Sequence, residues 1–151
     1  MISVLKTLLS AAEAAPDPQS PDPKLAVAAL LVEAGRADGD YGADDRAAVV
    51  HLLEDMFDLP EAEADALRRR GEEAQQGAAD LVRFTRVVKY ALDDAERIAL
   101  MEALWHVVLV DHHRDPHEDA LLRRLPPLLG VDDHHSNAAR RRVMARAGIG
   151  G

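Results

Sequence analysis

Cysteine is absent from the chain. Disulfides, thiolate zinc sites, iron–sulfur clusters and a cysteine nucleophile are thereby excluded. Aromatic residues are nearly absent as well, at 3% of the sequence with one Trp, two Tyr and two Phe. Such a chain starves a β-sandwich of its usual side chains. Serine stands only at positions 3, 10, 20 and 136, near termini or loops, which argues against a serine hydrolase. No nucleophile elbow, Walker loop, His-Glu-x-x-His pair or dinucleotide fingerprint occurs. Long apolar runs are missing. The longest, near Leu25–Val32 and Ala103–Val110, fall far short of the roughly 18–20 residues that span a bilayer, so direct membrane insertion is not expected. Positive charge is also in short supply: 18 Lys and Arg face 27 Asp and Glu, for a net charge of −9. Nucleic acid is therefore a poor partner.

What is present favours helices. The chain has 151 residues and a mass of 16.4 kDa, enough for one domain with a real core. It is 48% hydrophobic and 30% charged, and it holds 27 Ala and 20 Leu. Residues 1–99 carry 20 acidic side chains against 11 basic ones, while residues 100–151 carry seven of each. Six of the seven histidines follow residue 105: His106, His112, His113, His117, His134 and His135. The last third is near neutral at pH 7 and becomes cationic toward about pH 6.

The spacing predicts an all-α fold, a helical bundle of about seven helices. Ile2, Leu5, Leu8, Leu9 and Ala12 form a helical stripe, so residues 1–15 read as an amphipathic helix rather than a signal peptide. Four prolines in residues 16–23 make a linker. The main domain is expected over 24–147. Its helices are predicted at about 23–37, 43–57, from Pro60 onward, 79–91, 93–111, from Asp115 and 132–147. Gly71 and Gly77 are expected to weaken the region after the third helix. Leu100 to Val110, apolar nearly all round, reads as the central helix. Pro126 and Pro127 are expected to end or kink the next one. His51 reads as a half-buried structural histidine. A cytoplasmic location is expected.

The sequence also matches itself at an offset of 73 residues. Glu33 falls on His106, Asp38 on Asp111 and Asp45 on Glu118. After a one-residue slip, Asp58-Leu59-Pro60 falls near Gly130-Val131-Asp132. The shared pattern is acid or His, four residues, Asp, six residues, acid. It suggests a pseudo-two-fold repeat with halves at about 24–75 and 96–147.

Val32-Glu33-Ala34-Gly35-Arg36-Ala37-Asp38-Gly39-Asp40, followed by Asp44-Asp45, resembles the first Ala-Asp-Gly signature of TerB-like tellurite-resistance proteins. Leu104-Trp105-His106-Val107-Val108-Leu109-Val110-Asp111-His112, followed by Glu118 and Leu129-Gly130, resembles the second. His112 stands where that second signature usually has Gly. The resemblance covers about residues 24–146. It implies an all-helical bundle of two related halves, a metal-binding acidic cluster and a role in tellurite resistance or stress response. It also implies protein partners, some of them membrane-bound.

Six residues follow as the candidate metal set: Glu33, Asp38, Asp45, His106, Asp111 and Glu118. If the two loops meet, five carboxylates and one imidazole converge and require a cation, protonation or Arg partners. Carboxylates suit Ca²⁺, Mg²⁺ or Mn²⁺, and the histidine opens Zn²⁺ or Mn²⁺. The competing reading assigns the same acids to helix ends. Glu118 follows Asp115 at capping-box spacing, Asp45 follows Gly42 likewise, and Asp38 with Gly39 turns the chain. An EF-hand from Asp38 is excluded, because Ala43 and Val49 occupy its required Gly and Glu positions. Three functions follow in order: a metal-binding, non-enzymatic sensor or adaptor, a metal-free helical interaction module, and a metal-dependent hydrolase.

Overall fold

A computed structural model describes residues 22–77, 81–109 and 115–148. The expected helix at 1–15, the linker before Asp22, and Asp111 with His112 and His113 lie outside the described residues. Seven helices and no strand occur among the described residues, so the fold is an all-α bundle.

The first helix, α1 (Pro23–Arg36), is the hub. Its N-cap is Asp22, whose carboxylate accepts the Lys24 N–H at 2.8 Å, and Pro23 takes the first helical position. Ala26 through Val32 carry no polar side chain and are fully buried. They pack against α2 (Ala43–Phe57), α3 (Glu61–Gln76), α4 (Val82–Ala91), α5 (Asp94–Leu109) and α6 (Pro116–Leu129). The central place expected for Leu100–Val110 therefore belongs to α1. The reason is local: α5 presents Glu102 and His106 on a solvent-facing side, whereas residues 26–32 have no side to give to water. The last helix, α7 (Asp133–Ala147), packs on α5.

Gly71 is not a weak point. It lies buried inside α3 where that helix crosses α1, and a Cβ there would stand 2.8 Å from Ala28 Cβ and 2.9 Å from Ala28 C. Only hydrogen at this position permits the close crossing.

Helix ends follow the expected caps. Asp93 and Glu96 form a reciprocal box before α5, with bonds of 3.0 and 2.9 Å. Asp115 and Asp132 accept the His117 and His135 N–H groups, each at 2.8 Å. The helix does not end at the prolines: α6 runs on through Pro126 and Pro127 to Leu129. Leu121, Leu122, Leu125, Pro126 and Leu129 form its buried face, and packing keeps the helix going. Gly130, at φ 74°, stops it instead, and the Val131 N–H reaches the Pro126 carbonyl at 2.8 Å. Asp58 does the same after α2 at φ 55°, with the Leu59 N–H on the Glu54 carbonyl at 3.1 Å. The helices α2 and α6 begin 73 residues apart, at Ala43 and Pro116.

Candidate functional site

The first signature occupies the end of α1, the 37–42 loop and the start of α2. Gly39 turns the loop at φ 81°, and the Asp38 carboxylate accepts the Asp40 N–H at 2.9 Å. Asp45, in the first turn of α2, accepts the Gly42 N–H at 3.1 Å. Both acids thus shape the turn and cap the next helix. The turn is fastened to α3 by one aromatic ring. Tyr41 lies over Gly35, where a Cβ would come within 3.0 Å of two ring carbons. Its hydroxyl donates to Glu72 Oε2 at 2.6 Å, and Arg68 Nη1 donates to the same oxygen at 2.6 Å. Burial, and then the Glu72 carboxylate, push the Tyr41 phenol well above its ordinary range. The Arg36 and Arg46 guanidinium groups stand 5.0 and 5.8 Å from the ring centre.

A second tie holds α1 to α3. Gln75 donates from its amide nitrogen to Glu33 and accepts from Arg36 at its amide oxygen. Arg68 reaches the other way, to Asp65 Oδ1 at 2.7 and 3.1 Å, and holds that carboxyl below the usual range. Asp65, Arg68, Glu72 and Gln75 share one face of α3 at spacings of three, four and three. Tyr41, Arg68, Glu72 and Gln75 escaped the sequence reading. Their signal was that polar stripe, which looks like a solvated surface until α1 is seen to cover it.

The second signature is built differently. Trp105 is buried on α5 and donates its indole N–H to Ser136 Oγ of α7 at 3.3 Å. His106, one residue on, faces solvent. Partial burial of its ring, and then the charge of Arg146, lower its pKa. Arg146 and Arg142 both donate to Glu102 Oε1, at 3.1 and 2.8 Å. Glu118 is buried in the first turn of α6. A backbone bond from His117 comes first among the causes that hold Asp115 below the usual carboxylate range.

Of the six candidate ligands, Asp38 and Asp45 shape the first loop, while Glu33 stands on α1 and accepts from Gln75 of α3. His106 and Glu118 stand on α5 and α6, and Asp111 lies outside the described residues. Among the described residues, no three His, Asp or Glu side chains are grouped to hold a metal ion. His51 is exposed rather than half-buried, 3.5 Å from Glu54 on its own helix.

The family model of the tellurite resistance protein TerB matches residues 24–141. The chain belongs to the TerB family. That match spans both signatures and all of α2 through α6. No curated protein and no solved structure is matched by the chain. Within this TerB chain, the first signature's loop is tied to α3 through Tyr41 and Glu72. Its acids Asp38, Asp40, Asp44 and Asp45 lie on eight consecutive residues between α1 and the first turn of α2.

Proposed function

We propose that this TerB-family chain works in tellurite resistance or a related stress response as a non-enzymatic adaptor, docking a protein partner through its acidic signature loops. One observation carries the reading. Glu33, Asp38 and Asp45 each accept a hydrogen bond from the chain's own donors, so the first loop is a finished, acid-rich surface with its shape set from within. Held in place by Tyr41, it presents fixed negative charge to a basic partner.

A second reading makes the adaptor an ion sensor, with a divalent ion held by Glu33, Asp38, Asp45, His106, Asp111 and Glu118. Asp38 and Asp40, two residues apart in one loop, favour it, since oxygen-rich loops suit Ca²⁺, Mg²⁺ or Mn²⁺. Thermal unfolding of chelator-stripped protein separates the two. Each of Ca²⁺, Mg²⁺, Mn²⁺ and Zn²⁺ is added to wild type, Asp38→Asn and Asp111→Asn. The adaptor reading expects no ion to move the midpoint. An ion at 100 times its Kd adds about 2.7 kcal/mol, or roughly 5–11 °C at this size. A rise of that size in wild type and in neither variant establishes the sensor instead.

A further inference from the structure

The two large hydrophobic residues most exposed among the described ones stand on the same short helix. They are Val82, 38% exposed, and Tyr90, 81% exposed, at opposite ends of α4. Between and beside them stand Arg83, Arg86 and Lys89, all exposed. At about 100° per residue, these five side chains fall within roughly 120° of arc, directly opposite the buried Phe84, Thr85 and Val88. That buried face is fully occupied by α1 and α6. The exposed one has no acidic member, and none of its three cations forms an ion pair among the described residues. The Lys89 stem passes beside the α6 cap, where a Cβ on Gly130 would lie 3.5 Å from Lys89 Cε.

Two features make this face unusual for the molecule. Large apolar groups are otherwise covered among the described residues, and here they stand, in a chain of net charge −9, beside cations with no acidic member on the face. Here three like charges sit at intervals of three residues, a line of about 9 Å, and repel one another with no carboxylate between them. An aromatic ring standing free beside cations is the composition of a recognition surface.

We propose that the exposed face of α4 docks an acidic amphipathic helix of a partner protein. Carboxylates of that helix would meet Arg83, Arg86 and Lys89, and apolar residues about two turns apart would cover Val82 and Tyr90. Shape and charge select this occupant. The face is one helix wide and about 15 Å long. Without these three cations the formal charge of −9 becomes −12, so a broad anionic bilayer is repelled where a narrow helix is not. The surface shares no residue with the first signature loop. It extends the adaptor reading by adding a second contact, and it stands without the ion.

The test uses the full chain and a fluorescein-labelled helical peptide. The peptide has two leucines seven residues apart with two glutamates between them on the same face. Fluorescence anisotropy reads binding at low salt. Expected are saturable binding, a loss of about tenfold or more in Arg86→Glu and in Lys89→Glu, and a smaller loss in Tyr90→Ala. Raising salt weakens the complex, and a glutamine version of the peptide binds at least about tenfold less. Asp38→Asn leaves binding unchanged, which separates this surface from the first signature loop. Arg86 and Lys89 are exposed, and the charge variants are expected to keep the wild-type melting midpoint. Four results overturn the proposal. They are no binding of the acidic peptide, equal binding of the glutamine peptide, indifference to Arg86→Glu and Lys89→Glu, and Arg86-dependent capture by phosphatidylserine vesicles in place of the peptide. Sedimentation in which Arg86→Glu converts a dimer to a monomer assigns the face to a second copy and overturns it too.

Discussion

Replacing Gly71 with alanine tests the central packing of the bundle. The new methyl would lie 2.8 Å from Ala28 Cβ, 2.9 Å from Ala28 C and 3.2 Å from Ala28 O. Carbon atoms prefer about 3.5–4.0 Å, so α3 must move away from α1 by several tenths of an ångström. Neither side yields cheaply. Two of the three blocking atoms are backbone, and Ala28 belongs to a stretch of α1 buried on every side. Overpacking of this kind costs about 1–3 kcal/mol, and alanine returns about 1 kcal/mol of helix propensity. Because the clash is with backbone, the net should fall near the upper end, about 1–2 kcal/mol of destabilisation. For a domain of this size that is a midpoint lower by roughly 2–8 °C. Urea and thermal unfolding of the single and double variants measure it. Ala28→Gly removes the closest of the three contacts, so the double variant should lose less than the sum of the singles. A midpoint that rises in Gly71→Ala, or strict additivity with Ala28→Gly, would refute the close-crossing argument.

Two further predictions concern the loop and the pH response. Tyr41→Phe removes the bond to Glu72 while Arg68 still satisfies that carboxylate, so it should cost about 1 kcal/mol in unfolding experiments. It should also speed amide exchange in the 37–42 loop, and unchanged exchange there would detach Tyr41 from the role of fastener. His106 has a folded pKa below its unfolded value, so the stability linked to it is complete above the ordinary histidine pKa and is lost as pH falls through the lower folded value. Unfolding followed from pH 8 to 5 should show this acid limb, and His106→Gln should flatten it. Equal slopes in both proteins would remove His106 as the source.

Much of this protein is legible in one dimension. The Asp93 and Glu96 box, the Asp115 and Asp132 caps and the Gly39 turn use partners within three residues, so spacing alone reveals them. The starts of α2 and α6 fell where the pattern placed them, and the family signatures led to a family whose model covers residues 24–141. Local bonds and helical periodicity are properties of neighbouring residues, and the chain carries them wherever it goes.

The rest needed the tertiary structure because it depends on which helix lies against which. Nothing in the neighbours of Gly71 says that Ala28, over forty positions away, will press on it. The polar stripe of α3 looks the same whether water or α1 faces it, yet the contact turns Glu72 and Gln75 into the anchors of Tyr41 and Glu33. Pro126 and Pro127 break helices by local rule, and only the buried face of α6 carried the helix past them. Composition determined an all-α chain with acidic loops between its helices. The crossing of α1 with α3 decided which of those acids are tied down, and the packing of α4 on α1 and α6 decided which cations were left facing out.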